Sequence, residues 1–192
     1  MTNDRSALII LAKKSCESLL TAALLMSLAI PAFSESSGNP LRLVQTISMP
    51  SVKGRLDPMD VDAEGKRLFL AGLENGTLEV LDRRSGKWVR RLSGFKKPQA
   101  VLYVRTLNKL FVASGDDAML RVFREDTLDL LDSIQVKPGP NRVVYEPHTN
   151  LVYVGWGGQD AGKDYGEVAI IDAKDASTLV ISTSQRTYQS SC

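Results

Sequence analysis

Apolar positions in this chain form short blocks, and three of the blocks are copies of one another. Leu68-Phe69-Leu70-Ala71, Leu110-Phe111-Val112-Ala113 and Val152-Tyr153-Val154-Gly155 are almost continuously apolar. That is the pattern of a strand covered on both faces. Each is followed by an alternating block: Thr77 to Asp82, Met119 to Arg124 and Glu167 to Asp172. Alternation marks a strand with one wet face. A shorter block precedes each copy, at Asp57 to Val61, Gln99 to Val104 and Arg142 to Tyr145. Turn pairs such as Glu64-Gly65, Asn75-Gly76 and Ser85-Gly86 separate the blocks. Leu41 to Ile47 resembles the segments Trp88 to Leu92 and Leu130 to Val136, which each close a unit.

The units begin near Pro58, Pro98 and Pro140, so they recur every 40 and 42 residues. That period belongs to the four-stranded blades of β-propellers. The pattern therefore predicts an all-β chain: a partial β-propeller of three four-stranded antiparallel blades plus one leading strand. The blades are placed at residues 57–97, 98–139 and 140–183 within a repeat region of 41–175. A flexible spacer covers 35–40 and a divergent tail 176–192.

The first 34 residues follow different rules. Lys13 and Lys14 precede a twelve-residue apolar run, Leu19 to Ile30, and Ala32-Phe33-Ser34 offers small residues for cleavage after Ser34. This is the layout of a cleavable signal peptide. The run is too short for a spanning helix, which takes ~20 residues. A periplasmic or secreted protein without stable membrane insertion follows. Cleavage removes Cys16 and leaves Cys192, so the expected mature chain has no internal disulfide and is held together by packing. Formal charge is +2, too small for a global field that would dictate nucleic acid or membrane as partner.

Catalytic patterns are sparse, and the residues point to no catalytic residue, metal site or cofactor. His148 is the only histidine and falls in a turn, where a solvated role is the plain reading. Asp57, Asp60 and Asp62 cluster on one predicted strand. Asp60 and Asp62 would share a face about 7 Å apart, suited either to a metal or acid–base pair or to bonding a neighbouring turn.

Two features suggest binding instead. The loops leading into the three first strands carry Lys53 and Arg55, then Lys96 and Lys97, then Lys137 followed by Arg142. On a propeller these loops share one face, so the cations would rim the channel mouth and hold an anionic ligand, with a nucleic-acid backbone as one form of it. Solvated loop lysines are the plainer alternative. The third unit also carries a loop six residues longer than its counterparts, flanked by Trp156 and Tyr165 around glycines that permit close approach of a partner.

The Leu-Phe-Leu-Ala blocks, each followed by a Thr-Leu-Glu-Val-Leu-Asp type strand, resemble the YVTN-repeat β-propeller family over residues 41–175. The resemblance implies a ring of about seven blades, of which this chain holds three. It is thus read as truncated or as completed by another chain, with self-association through open blade edges. It implies an exported module that binds a ligand or an unknown protein partner without catalysis. The alternatives are a propeller enzyme of the lactone-hydrolase or quinoprotein-dehydrogenase kind, or an inactive truncated product.

Overall fold

The computed structural model describes residues 41–157, 162 and 164–185, with the backbone alone for 180–185. The signal peptide, the spacer, the middle of the long loop and the last seven residues of the predicted tail lie outside the described residues. Among those described, twelve strands form three four-stranded antiparallel sheets, each a simple meander. Blade 1 comprises β1 Leu56–Asp62, β2 Arg67–Gly72, β3 Thr77–Asp82 and β4 Lys87–Ser93. Blade 2 comprises β5 Pro98–Val104, β6 Lys109–Ser114, β7 Met119–Arg124 and β8 Leu130–Gln135. Blade 3 comprises β9 Pro140–Glu146, β10 Leu151–Gly157, β11 Tyr165–Asp172 and β12 Thr178–Gln185. The first strand of blade 2 lies against the first strands of both neighbours, so the sheets radiate from β1, β5 and β9. This is the partial propeller that the period implies.

Side chains on a strand point alternately to its two faces, and each blade uses both. The forward face of blade 1, with Phe69, Ala71, Leu78 and Val80, packs on the backward face of blade 2, with Val101, Leu110, Val112 and Phe123. The same forward positions of blade 2 are Phe111, Ala113, Leu120 and Val122, which pack on Val152, Val154, Ala169 and Ile171 of blade 3. One core therefore lies between each pair of blades. Each buried large side chain contributes about 1.5–3 kcal/mol.

Turns repeat as faithfully as strands. Lys66, Asn108 and Asn150 each end the first turn of a blade in the left-handed region, with φ of 66°, 50° and 60°. The carbonyls of these three residues accept the N–H of Arg83, Glu125 and Ala173 respectively, pinning the first turn to the third strand's end. A second device crosses between blades. Arg67 donates to the Glu125 carbonyl at 2.8 Å, and Lys109, 42 residues later, donates to the Ala173 and Lys174 carbonyls at 2.9 and 2.5 Å.

Two boundaries differ from the sequence reading. Residues 41–49 form no strand, and the first strand begins at Leu56. A closing strand needs the third strand of its own blade as a ladder partner, and no described strand stands there. At the other end, β12 lies in the overlap of the third blade, placed at 140–183, with the segment read as a divergent tail; it runs two residues past that blade and pairs with β11 from Tyr165↔Gln185 to Ile171↔Thr178. An outer strand is held by backbone bonds, so it tolerates side chains that have left the repeat pattern.

Candidate functional site

The ends of β2, β6 and β10, the starts of β3, β7 and β11, and the loops entering β1, β5 and β9 share one face of the blades. The entry loops are tied down by their own backbone. Lys53 N–H donates to Asn75 Oδ1 at 3.2 Å, and Arg55 N–H donates to Glu74 Oε2 at 2.5 Å. In blade 2 the Lys96 and Lys97 carbonyls accept the Asp116 and Gly115 N–H at 3.1 and 2.9 Å.

Each first strand then breaks register at the same place. The pairing of β1 with β2 shifts between Leu56 and Met59, that of β5 with β6 between Pro98 and Ala100, and that of β9 with β10 beside Asn141. Bulges of this kind re-aim a side chain. Here they give Asp57, Gln99 and Asn141, spaced 42 residues apart, one shared destination. All three line a cleft of about 740 Å³ together with Arg55, Lys97 and Arg142, above an apolar floor that includes Leu73, Ala100 and Val143. Three cations, one carboxylate and two amides, drawn from the separate segments 55–57, 97–99 and 141–142, thus meet.

The charges are partly matched. Arg55 Nη2 lies 2.5 Å from Asp57 Oδ2, and Lys97 Nζ lies 3.9 Å from Asp116. Exposed pairs of this kind contribute little, about 0–1 kcal/mol, so a ligand anion competes with them readily. Lys97 sits in the left-handed region at φ 60°, where the third copy has Gly139 at φ 81°. A lysine held there costs about 1 kcal/mol in backbone strain that glycine avoids.

Of the cations expected to form a rim, Arg55, Lys97 and Arg142 line the cleft. Lys53 and Lys137 are exposed and are not among its lining residues. Lys96 lines a neighbouring hollow with Asn75, Gly76 and Phe95. Gln99 and Asn141 escaped the sequence reading. The signal for them was the repeated Pro98-Gln99 and Pro140-Asn141 pair in register with Asp57.

The long loop is corrected in one respect. Trp156 does not flank it as an exposed contact: it is buried between blades 2 and 3, and its indole N–H donates to Glu167 Oε2 at 2.7 Å. The reason is register: Trp156 ↔ Glu167 holds the place of Gly72 ↔ Thr77 and Ser114 ↔ Met119, the last pairs of the other two hairpins, and Gly157 ↔ Gly166 extends the ladder by one pair beyond it. Tyr165 is half-buried at the start of β11. Gly157, at φ 100°, permits a close approach, but to its own hairpin: a Cβ there would lie 2.5 Å from the Tyr165 carbonyl oxygen.

The remaining candidates serve the scaffold. Asp60 accepts the Tyr103 N–H of blade 2 at 2.7 Å, and Asp62 is buried and accepts the Glu64 N–H at 3.2 Å. His148 is 92% exposed in the turn after β9, at the end of the blade opposite the cleft. Its Nδ1 contacts Glu146 Oε1 at 2.8 Å. The Thr149 hydroxyl and the His148 and Thr149 N–H groups hold the Glu146 carboxyl down to about 2. Among the described residues, no group of three His, Cys, Asp or Glu is placed to hold a metal ion.

No protein-family model matches this chain, and no curated protein does. Among solved structures, Kuenenia stuttgartiensis hydrazine synthase is similar in fold, with a TM-score of 0.62 and 15% identity over 68% of this chain. The match takes in 38% of that chain, so this one spans about two-fifths of its length. At that identity the likeness concerns the fold alone.

Proposed function

We propose that this chain is an exported propeller module of the YVTN-repeat kind that binds a small anion, or an anionic group on a protein partner, without catalysing its conversion. The observation that carries the reading is the convergence of Arg55, Lys97 and Arg142, one from each blade, on a single cleft. Cations focused by a concave wall raise the local concentration of an anion. Acid–base chemistry would need a second titrating group beside Asp57. Asp60 is engaged by Tyr103 N–H instead, which favours binding over hydrolysis. Export rests on the sequence of residues 1–34, and the mass of the secreted protein, beginning at Glu35, tests it.

The binding test is calorimetric titration of the purified protein with inorganic phosphate and acetate at low salt. Binding should weaken as salt rises and fall at least tenfold in the double variant Lys97→Met, Arg142→Gln. Equal heats for the wild type and that variant would refute the reading.

A further inference from the structure

Resting on that reading, we infer that the cleft selects a hydroxyl-rich anion, of the sugar-acid or sugar-phosphate class, over a simple inorganic anion. Cations alone would suffice for phosphate. The bulges place something more beside them: one carboxylate and two carboxamides, at matching positions of β1, β5 and β9. A carboxylate only accepts hydrogen bonds, whereas an amide both donates and accepts. Acetate brings no donor for Asp57 or for the amide oxygens, and inorganic phosphate at neutral pH brings only one or two. A hydroxyl donates to one and accepts from the other, so a ligand with several hydroxyls and one anionic group uses the whole set.

The space agrees. The cleft adjoins a second hollow of about 380 Å³, and Lys97, Gln99 and Asn141 line both. Each lies in the size range of small-molecule sites, far larger than one ion requires. The amides thus sit at the centre of an elongated site with a cation beside them.

The first amide is also held in place. The Gln99 side chain lies over Gly115, where a Cβ would come 1.9 Å from its Oε1. Gly155, which faces Arg142 across the β9–β10 ladder, leaves that side chain clear, with the nearest atom 4.0 Å from where a Cβ would stand. Among the described residues, no aromatic side chain lines either hollow. Nucleobases bind sequence-tolerant grooves by stacking on aromatic rings, so a single-stranded nucleic acid lacks its usual platform here.

The experiment titrates the purified protein with glucuronate and glucose 6-phosphate, and in parallel with acetate and inorganic phosphate. Each sugar anion should bind at least tenfold more tightly than its simple counterpart. Asn141→Ala should cut that ratio about fivefold, the worth of one lost hydrogen bond, weakening the sugar anions more than the simple ones. Gly115→Ala, which displaces the Gln99 amide without removing a charge, should do the same. Equal affinity for sugar and simple anions, or an undiminished ratio in both variants, would overturn the selectivity and leave anion binding standing. Failure of every anion to bind would overturn both.

Discussion

Blades 2 and 3 are written with the same pattern and live in different surroundings. Phe111 and Tyr153 hold the same place in their second strands, as do Leu120 and Val168 in the third. Phe111 and Leu120 are fully buried, because blade 3 covers them. In blade 3, Tyr153 and Ile170 are half-buried, while Val168 is 36% and Val144 49% exposed. The interblade latch follows the same divide. Arg67 and Lys109 reach the next blade, and the third copy of that position is Leu151. A blade's forward face becomes core only when a neighbour supplies the other half, so identical sequence carries unequal energy.

That inequality is open to direct attack. The largest expected effect is at the shared aromatic position. Phe111→Ala should cost about 3–5 kcal/mol in denaturant unfolding, the cavity cost of a buried phenylalanine, whereas Tyr153→Ala should cost about 1 kcal/mol. Similar values for the two would mean that the forward faces are equally covered.

A smaller difference is expected at the latch. Lys109→Met should lower stability by about 1 kcal/mol through the loss of its bonds to the Ala173 and Lys174 carbonyls. Leu151→Lys, with no described blade to reach, should change it by less than about 0.5 kcal/mol.

Val168→Lys should leave unfolding almost untouched and instead reduce concentration-dependent light scattering. An exposed apolar sheet face is an association surface for a second copy. Unaltered scattering would show that this face takes no part in it.

The smallest effect lies at the end of β9, where blade 2 has buried Val104 and blade 3 has Glu146. The Glu146 carboxyl is held at about 2, below its ordinary 4.5. Its folded form prefers the charge, so the contribution is complete above pH 4.5 and is lost as pH falls toward 2. Glu146→Gln should flatten the acid limb of the stability curve over that window, and an identical limb would contradict the proton assignment.

Much of this architecture was legible in the residues themselves. The Leu-Phe-Leu-Ala copies, the alternating third strands and the Gly-bearing turns each describe a local conformation, and local conformation depends on near neighbours in the chain. The 42-residue offset between copies then placed Arg55 and Lys97 on a common face, which Arg142 joins from three residues beyond the third copy, Gly139. Trp156 shows the limit of such reading. In the sequence it borders a glycine-rich loop, yet it holds the place of the buried Gly72 and Ser114, and one extra ladder pair beyond it keeps it inside, because hairpin length is settled by pairing with β11 rather than by composition.

By itself, the sequence determined the strands, their order and the repeated blade, since periodicity and turn residues act over a few positions. Tertiary structure decided which copies of a face are buried and which polar residues meet. Burial needs a surface from another blade, and the meeting of Asp57, Gln99 and Asn141 needs three bulges aimed at one point. Neither condition is written in any single stretch of chain.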